Sequence, residues 1–127
     1  MYFGIHGKAE PIRMLLHQAG VDYEDRRLER DEFAAMKESG ELPAGQVPLF
    51  IEKSGRNINQ ANAILRFLGR QHGFYFGDDI DESFYVDWSL EASLDLWSTK
   101  AYRRWMAEDE DEEADAQAIA EFAKFNQ

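Results

Sequence analysis

Short apolar runs alternate with short amphipathic runs through the first part of the chain. The apolar runs are bounded by turn-forming residues, as is typical of strands. The amphipathic runs repeat their apolar positions every three or four residues, as is typical of helices. In chain order, the pattern predicts strand 1–5, helix 9–19, strand 23–28, helix 31–37, strand 47–51, strand 57–59 and helix 61–70. An order of βαβα followed by ββα predicts a small α/β domain built on a four-stranded sheet.

Capping and stop signals bound the first two predicted helices. Pro11 lies in the first turn of the first helix, where a missing N–H is tolerated, and Gly20 is its stop signal. Asp31 is a good N-cap for the second helix, and Gly40 ends it. Both helices are therefore expected to be short.

The second part of the chain has helical spacing throughout. From Ser83 to about Met106 there is no Gly or Pro, and large apolar residues recur at near-helical spacing, which predicts one long helix. The acidic run 108–113 follows, and a second helical pattern covers 114–125. Helices are stabilised mainly by packing of their apolar faces. We therefore expect this chain to be a fragment, truncated in its helical part, or to pack on a partner.

The net charge of the chain also changes near residue 72, between the α/β part and the helical part. The net charge is −11, yet residues 1–72 are neutral, because they hold 10 of the 14 basic and 10 of the 25 acidic residues. This change predicts an α/β domain at 1–72, a linker at 73–82 and an all-helical part at 83–127. The acidity argues against binding to nucleic acid or to anionic membranes.

The absence of cysteine removes several classes of chemistry. Without cysteine there is no disulfide, no cysteine-ligated zinc and no protein thiol nucleophile, so any sulfur chemistry must use the sulfur of a ligand. His6, His17 and His72 have no metal-ligand spacing, and no metal is expected. The sequence lacks the roughly 20 apolar residues of a membrane span and a signal-peptide pattern, which favours a cytoplasmic protein.

Three separated motifs occur in one order. They are YFGIHGKAEPIR at 2–13, GQVPL at 45–49 and QANAILRFL at 60–68. Together they resemble the N-terminal domain of a cytosolic glutathione S-transferase of the tyrosine type, and the sigma class in particular. The resemblance implies a thioredoxin-like glutathione domain followed by an all-helical domain, of which this chain holds only the beginning. It also implies glutathione as co-substrate, a homodimer and a role in detoxification.

By this resemblance, Tyr2 is the catalytic residue. A free thiol has a pKa of ~8.5, so the protein must stabilise the thiolate to make glutathione nucleophilic. A phenol can do so by donating its O–H to the sulfur. The alternative is that Tyr2 is an ordinary strand aromatic.

Val47 and Pro48 resemble the family's cis-proline element. In that arrangement the backbone N–H and C=O of Val47 would pair with the cysteinyl part of glutathione. Residue statistics alone predict a trans bond, because only about 5% of X–Pro bonds in folded proteins are cis. The alternative is that Pro48 has no role in binding and begins an edge strand, where its missing N–H is tolerated.

Gln60 and Ala61 match the positions that bind the γ-glutamyl end of glutathione, at a helix start whose free N–H groups favour a carboxylate. The family usually has Ser where this chain has Ala61, so one hydrogen bond worth about 1.5 to 3 kcal/mol is lost unless another group replaces it. Asn62 is the alternative donor. Four more residues match positions that contact the peptide backbone or glycine carboxylate: Lys8, Phe33, Lys37 and Gln46.

Asp95 recurs with Asp87 and Glu91 at intervals of four residues, which places three carboxylates on one helix face. A solvated acidic stripe is the usual meaning of such a pattern. By resemblance, Asp95 instead matches the carboxylate that reaches the α-amino group of glutathione in the other subunit of a dimer.

The function implied by the resemblance is glutathione transfer to a small hydrophobic electrophile. An isomerase would use the same thiolate. The alternative is a non-catalytic module of the same fold that binds a partner or has a structural role. Ala61, the position of Tyr2 close to the start of the chain and the short helical part favour this alternative.

Overall fold

The computed structural model of the protein describes residues 1–75, 78–98 and 111–125. The chain divides into two compact units, Met1–Asp78 and Asp79–Gln127. This division falls inside the 73–82 segment, and the domain bounds drawn from sequence stay a prediction. The bounds of the helices and strands follow for each unit in turn.

The first unit alternates strands with helices, as predicted. Its elements are β1 Tyr2–Phe3, a 3-10 turn Gly7–Ala9, α1 Glu10–Gln18, β2 Arg27–Leu28, α2 Arg30–Glu38, a 3-10 turn Pro43–Gly45, β3 Leu49–Ile51, β4 Asn57–Asn59 and α3 Ala61–His72. The second 3-10 turn was not predicted from sequence. Its middle residue, Ala44, has a φ of 54°. Alanine rarely adopts a positive φ, so the residue type gives no indication of this turn.

The four strands form two pairs instead of one continuous sheet. β1 and β2 are parallel, with Tyr2 opposite Arg27, and β3 and β4 are antiparallel, with Leu49 opposite Asn59. Met1 forms the hydrogen bonds that connect the pairs: its amino group donates to the carbonyl of Leu49 at 2.7 Å, and the Leu49 N–H donates to the Met1 carbonyl at 3.1 Å. The predicted single four-stranded sheet is wrong in this respect, because β1 is too short to pair with β3 along its length.

β1 and β2 are each two residues long, shorter than the strands predicted over 1–5 and 23–28. A strand ends where its pairing partner ends, and β1 offers β2 only Tyr2 and Phe3. The segment 22–26 before β2 is exposed and has no strand geometry. Tertiary pairing therefore overrides the strand pattern that the sequence shows in these segments.

The core of the first unit lies between α1 and α3. Ile12 and Leu16 of α1 pack with Ile64 and Leu68 of α3, and all four are buried. Each pair is four residues apart, so each pair occupies one face of its helix. Phe50 of β3 and Ile58 of β4 pack against this cluster and connect it to the second strand pair.

The helix ends agree with the glycine signals but not with the predicted cap. Gly20 and Gly40 follow α1 and α2 with positive φ, as expected of stop residues. Asp31 is not the N-cap of α2, because Glu29 precedes the helix and no side chain caps it. Asp31 lies in the first turn, where its charge favours the helix dipole.

The second unit is helical. α4 spans Ile80–Ser98 and α5 spans Glu112–Phe125. α4 begins before the predicted Ser83 because the Asp79 carboxylate accepts the N–H groups of Asp81 and Glu82, each at 3.0 Å. The predicted extension of α4 to Met106 and the first half of the acidic run, 108–110, lie outside the described residues. In the described parts of the chain, no helix combines the length and apolar character that a bilayer crossing requires.

Candidate functional site

The Tyr2 hydroxyl is held by the turn that follows β1. Tyr2 is 9% exposed, and its hydroxyl oxygen accepts the backbone N–H of Lys8 at 3.2 Å. Gly7 has a φ of +45°, and a Cβ on it would lie 2.7 Å from the Tyr2 oxygen. The turn can close over the phenol only because Gly7 has no side chain. Since the hydroxyl accepts this bond, its proton stays available to a ligand.

Arg13 connects β1, α1 and the segment before β2. It is 8% exposed, and its guanidinium donates to the carbonyls of Phe3, Ile5 and His6 at 3.0 to 3.4 Å. Its Nε donates to the Asp25 carboxylate at 3.1 Å, and Nη1 donates to Glu10 at 3.0 Å. Arg13 therefore holds the segment from β1 to the Gly7–Ala9 turn. Sequence reasoning assigned it no role, although it closes the first motif.

The charges of this network are reflected in the pKa of Asp25. Burial disfavours its ionised form, but the hydrogen bonds that it accepts from Arg13 and Arg27 outweigh burial and lower the pKa of the Asp25 carboxyl. Burial similarly opposes the charge of Arg13, and the carboxylates of Glu10 and Asp25 outweigh it, so the pKa of Arg13 is raised. Both side chains are therefore ionised at neutral pH.

The Val47–Pro48 peptide bond is cis, as the resemblance implied and contrary to the expectation from residue statistics. Pro48 is buried and Val47 is half-buried. Among the described residues, none forms a hydrogen bond with the backbone N–H or C=O of Val47. Both groups are thus open to the backbone of an extended ligand.

Gln46 and Gln60 are brought together across the first unit. Gln60 has a φ of 70° and precedes α3, and its side-chain Nε2 donates to the side-chain Oε1 of Gln46 at 3.1 Å. The side chain of Gln60, the residue before α3, does not cap the helix. The start of a helix presents backbone N–H groups that favour a carboxylate. Asn62, the alternative donor, is buried and has partners of its own.

The other candidate residues of the first unit are separately placed. Lys8 and Lys37 are exposed, and the Lys37 side chain lies against Gly45, next to Gln46. Phe33 of α2 packs edge-on against the ring of Phe3, with the centroids 5.2 Å apart. Phe33 therefore supports β1 but offers no hydrogen-bond donor.

Asp95 lies on α4, in the second unit, and is exposed. It follows Asp87 and Glu91 at four-residue steps, as the sequence pattern predicted. Within the ranges that the structure describes, no group of three His, Asp or Glu residues could hold a metal ion.

The family model described as the glutathione S-transferase N-terminal domain matches residues 1–70. The chain belongs to the glutathione S-transferase family. Its α/β unit is therefore a thioredoxin-like glutathione S-transferase domain, and helices follow it, which confirms the predicted fold class.

Relatives and solved structures agree with this assignment. Glutathione S-transferase 1 of Ascaris suum is 47% identical over 72 residues, which are 57% of this chain and 34% of the relative. Glutathione S-transferase A4 of Mus musculus is 36% identical over 114 residues, 89% of this chain and 50% of the relative. A crystal structure of a monomeric glutathione S-transferase from Necator americanus matches with a TM-score of 0.79 and 32% identity, and covers 98% of this chain and 62% of its own. The chain thus spans half or less of these two curated relatives' length.

Proposed function

We propose that the chain binds glutathione on its first unit and that Tyr2 stabilises the thiolate for attack on a small hydrophobic electrophile. The main support for this proposal is the hydrogen bond that the backbone N–H of Lys8 donates to the Tyr2 hydroxyl oxygen. That bond orients the phenol and polarises its O–H, which makes it a better donor to sulfur. The thiol proton passes to solvent water, and the Tyr2 O–H donates a hydrogen bond to the thiolate that remains. A sulfur lone pair then forms the bond to the electrophilic carbon, and the leaving group departs from that carbon with the bonding electron pair.

The peptide part of glutathione has complementary groups on the same unit. The free backbone groups of Val47 suit the cysteinyl amide, and the start of α3 with Gln60 suits the γ-glutamyl carboxylate. The exposed ammonium of Lys37, beside Gly45, suits the glycine carboxylate, together with Gln46 and Lys8. Asp95 suits the α-amino group from the partner subunit of a homodimer.

The proposal also covers the enzyme class, the location in the cell and the oligomeric state. The motifs favour a sigma-like, cytoplasmic enzyme of detoxification that acts as a homodimer. The named relative from Necator americanus is described as monomeric. Sedimentation of this chain at micromolar concentration tests the homodimer, and a species of about 15 kDa at all concentrations would contradict it.

The test is a calorimetric titration with glutathione, paired with a conjugation assay on a chloronitrobenzene. Tyr2→Phe should keep glutathione binding and lose turnover, because only the hydroxyl is removed. Ala61→Ser should bind about tenfold more tightly by regaining a hydrogen bond of about 1.5 kcal/mol. Ala63→Ser, at an exposed position of α3, is the matched control and should not change affinity. A folded chain that releases no saturable heat would contradict the proposal.

A non-catalytic binding or structural module is the second candidate. Its support is that Ala61 has no side-chain donor and that the side chains of Gln46 and Gln60 bond to each other. A folded chain that binds glutathione equally with and without the Tyr2 hydroxyl, and turns over no substrate in either form, would favour this candidate.

A further inference from the structure

The turn that precedes the cis peptide bond has an uncommon backbone conformation. Residues 43–46 form this turn, and we call it the 43–46 turn. Ala44 and Gly45 are both left-handed, with φ of 54° and 62°. The turn closes through the Gln46 N–H, which donates to the Pro43 carbonyl at 3.4 Å. An alanine in the left-handed region is strained, and such a conformation persists only where the surrounding structure holds it.

Asn59, the last residue of β4, holds the turn from outside. Its side-chain Nδ2 donates to the Pro43 carbonyl oxygen at 3.0 Å, so this oxygen accepts a second hydrogen bond besides the one that closes the turn. The next residue, Gln60, donates to the Gln46 side chain at 3.1 Å. Gln46 and Gln60 are exposed, whereas Asn59 is half-buried. Water competes less for a half-buried bond, so the Asn59 bond is the stronger attachment of the two.

The alternation of β4 explains why Asn59 meets the turn. Ile58 packs against the core cluster, and neighbouring residues of a strand point to opposite faces. Asn57 and Asn59 therefore share the face that points away from the core. In the part of the chain that the structure describes, the Asn57 side chain is exposed and forms no hydrogen bond. Asn57 thus offers the same residue type on the same face without the bond to the turn.

The 43–46 turn carries groups that the proposed function assigns to one end of glutathione. The Lys37 side chain lies against Gly45, and Gln46 ends the turn. In the proposed function, Lys37 and Gln46 meet the glycine carboxylate, whereas Gln60 and the start of α3 meet the γ-glutamyl carboxylate. The bond between Asn59 and Pro43 ties these two sets of groups together. It therefore bears on the distance between the groups that meet the two ends of the peptide.

We propose that Asn59 is a positioning residue for glutathione binding, because its hydrogen bond to Pro43 holds the 43–46 turn at a fixed distance from the start of α3. This role rests on the proposed function, since it concerns the same ligand. Asn59 acts through the groups that the turn carries and does not itself contact glutathione. A chain without this bond should recognise the glycine end poorly and the γ-glutamyl end normally.

Calorimetric titration of the full chain with glutathione and with γ-glutamylcysteine, which lacks the glycine, tests this role. Asn59→Leu nearly keeps the size of the side chain and removes the donor. It should weaken glutathione binding roughly fivefold, equivalent to about 1 kcal/mol, and change γ-glutamylcysteine binding by less than about twofold. Asn57→Leu is the matched control on the same strand and should change neither affinity. A general loss of stability would weaken both ligands equally, so a selective loss identifies positioning.

Amide hydrogen exchange measured by NMR gives a second readout without ligand. In Asn59→Leu, the Gln46 N–H should exchange roughly fivefold faster, because the turn opens more readily once the bond to Pro43 is lost. Asn57→Leu should leave this exchange rate unchanged. Circular dichroism verifies that each variant is folded, and Asn59→Ala replaces Asn59→Leu, with the same expected results, if the larger apolar side chain prevents folding.

The outcomes separate this role from the proposed function. If Asn59→Leu binds glutathione as tightly as the unchanged chain, or loses affinity equally for both ligands, the role of Asn59 is overturned and the proposed function stands. An unchanged exchange rate of the Gln46 N–H in Asn59→Leu would also overturn the role. If the unchanged chain is folded and binds neither ligand, the proposed function is overturned, and the role of Asn59 is overturned with it.

Discussion

Arg13 and Gly7 show how single residues shape the surroundings of Tyr2. Arg13 fixes the carbonyls of the segment after β1, and Gly7 lets the following turn approach the phenol. A guanidinium with five donors can hold several carbonyls and carboxylates at once, which a lysine cannot do. The Tyr2 hydroxyl therefore owes its position to Arg13 and Gly7 as well as to β1.

Gly7→Ala should lower both stability and turnover. An alanine at a φ of +45° is strained, and its Cβ would lie 2.7 Å from the Tyr2 oxygen and 2.8 Å from its ring. We expect a loss of about 1 to 3 kcal/mol in urea unfolding. Gly4→Ala is the control, since nothing lies within 4 Å of its Cβ position. Equal losses in the two variants would show that the turn does not close on Tyr2.

The Asp25 carboxylate should contribute stability that depends on pH. Its pKa in the folded chain is lowered, so its contribution is complete above the unfolded pKa of about 3.9 and is lost as pH falls through the lower folded value. Its side chain is 30% exposed and screened by solvent, so Asp25→Asn should cost only about 1 kcal/mol at pH 7. Urea unfolding at pH 7 and pH 3 should show the difference narrowing in acid, and a constant difference would contradict this.

At the scale of elements, helices followed their sequence patterns more closely than strands did. α1, α2 and α3 occupy the predicted segments within a few residues, because helical periodicity and glycine stops act within one element. β1 and β2 are far shorter than their patterns, because each strand depends on a partner distant in sequence. Asp79 was missed as the cap of α4, although its residue type is a common N-cap.

The packing of α1 on α3 predicts the cost of a cavity. Leu68 is 1% exposed in the core, so Leu68→Ala should destabilise the chain by about 2 to 5 kcal/mol. Met14→Ala on α1 is the control, because Met14 is 64% exposed and its truncation should cost less than about 0.5 kcal/mol. Thermal unfolding followed by circular dichroism measures both. Similar melting temperatures for the two variants would contradict this core.

At the scale of the whole molecule, the chain has two units with different composition. The first holds the four-residue core and all the candidate site residues except Asp95. The second unit begins within the 73–82 segment, and the acidic excess lies mainly after it. The domain bounds that the change in charge suggested, 1–72, 73–82 and 83–127, stay a prediction.

A fragment of residues 1–78 should fold by itself. Its core cluster is formed entirely by its own α1 and α3, with Phe50 and Ile58 against it. We expect a cooperative thermal transition and a far-ultraviolet spectrum of mixed helix and strand. A fragment of residues 79–127 serves for comparison, since most of its large aromatic side chains on α4 are exposed. A non-cooperative 1–78 fragment would show that its core is not sufficient.

The sequence by itself determined the order of the elements, the helix stops and, through three motifs, the family. The resemblance carried by those motifs implied the cis bond before Pro48, against the residue statistics. These features depend on periodicity, on backbone preferences and on motifs short enough to read directly. Only the tertiary structure decided where the strands end, that Gln60 bonds to Gln46, and that the Lys8 N–H meets the Tyr2 hydroxyl. The reason is that each of these depends on the distance between groups that the fold, and not the local sequence, brings together.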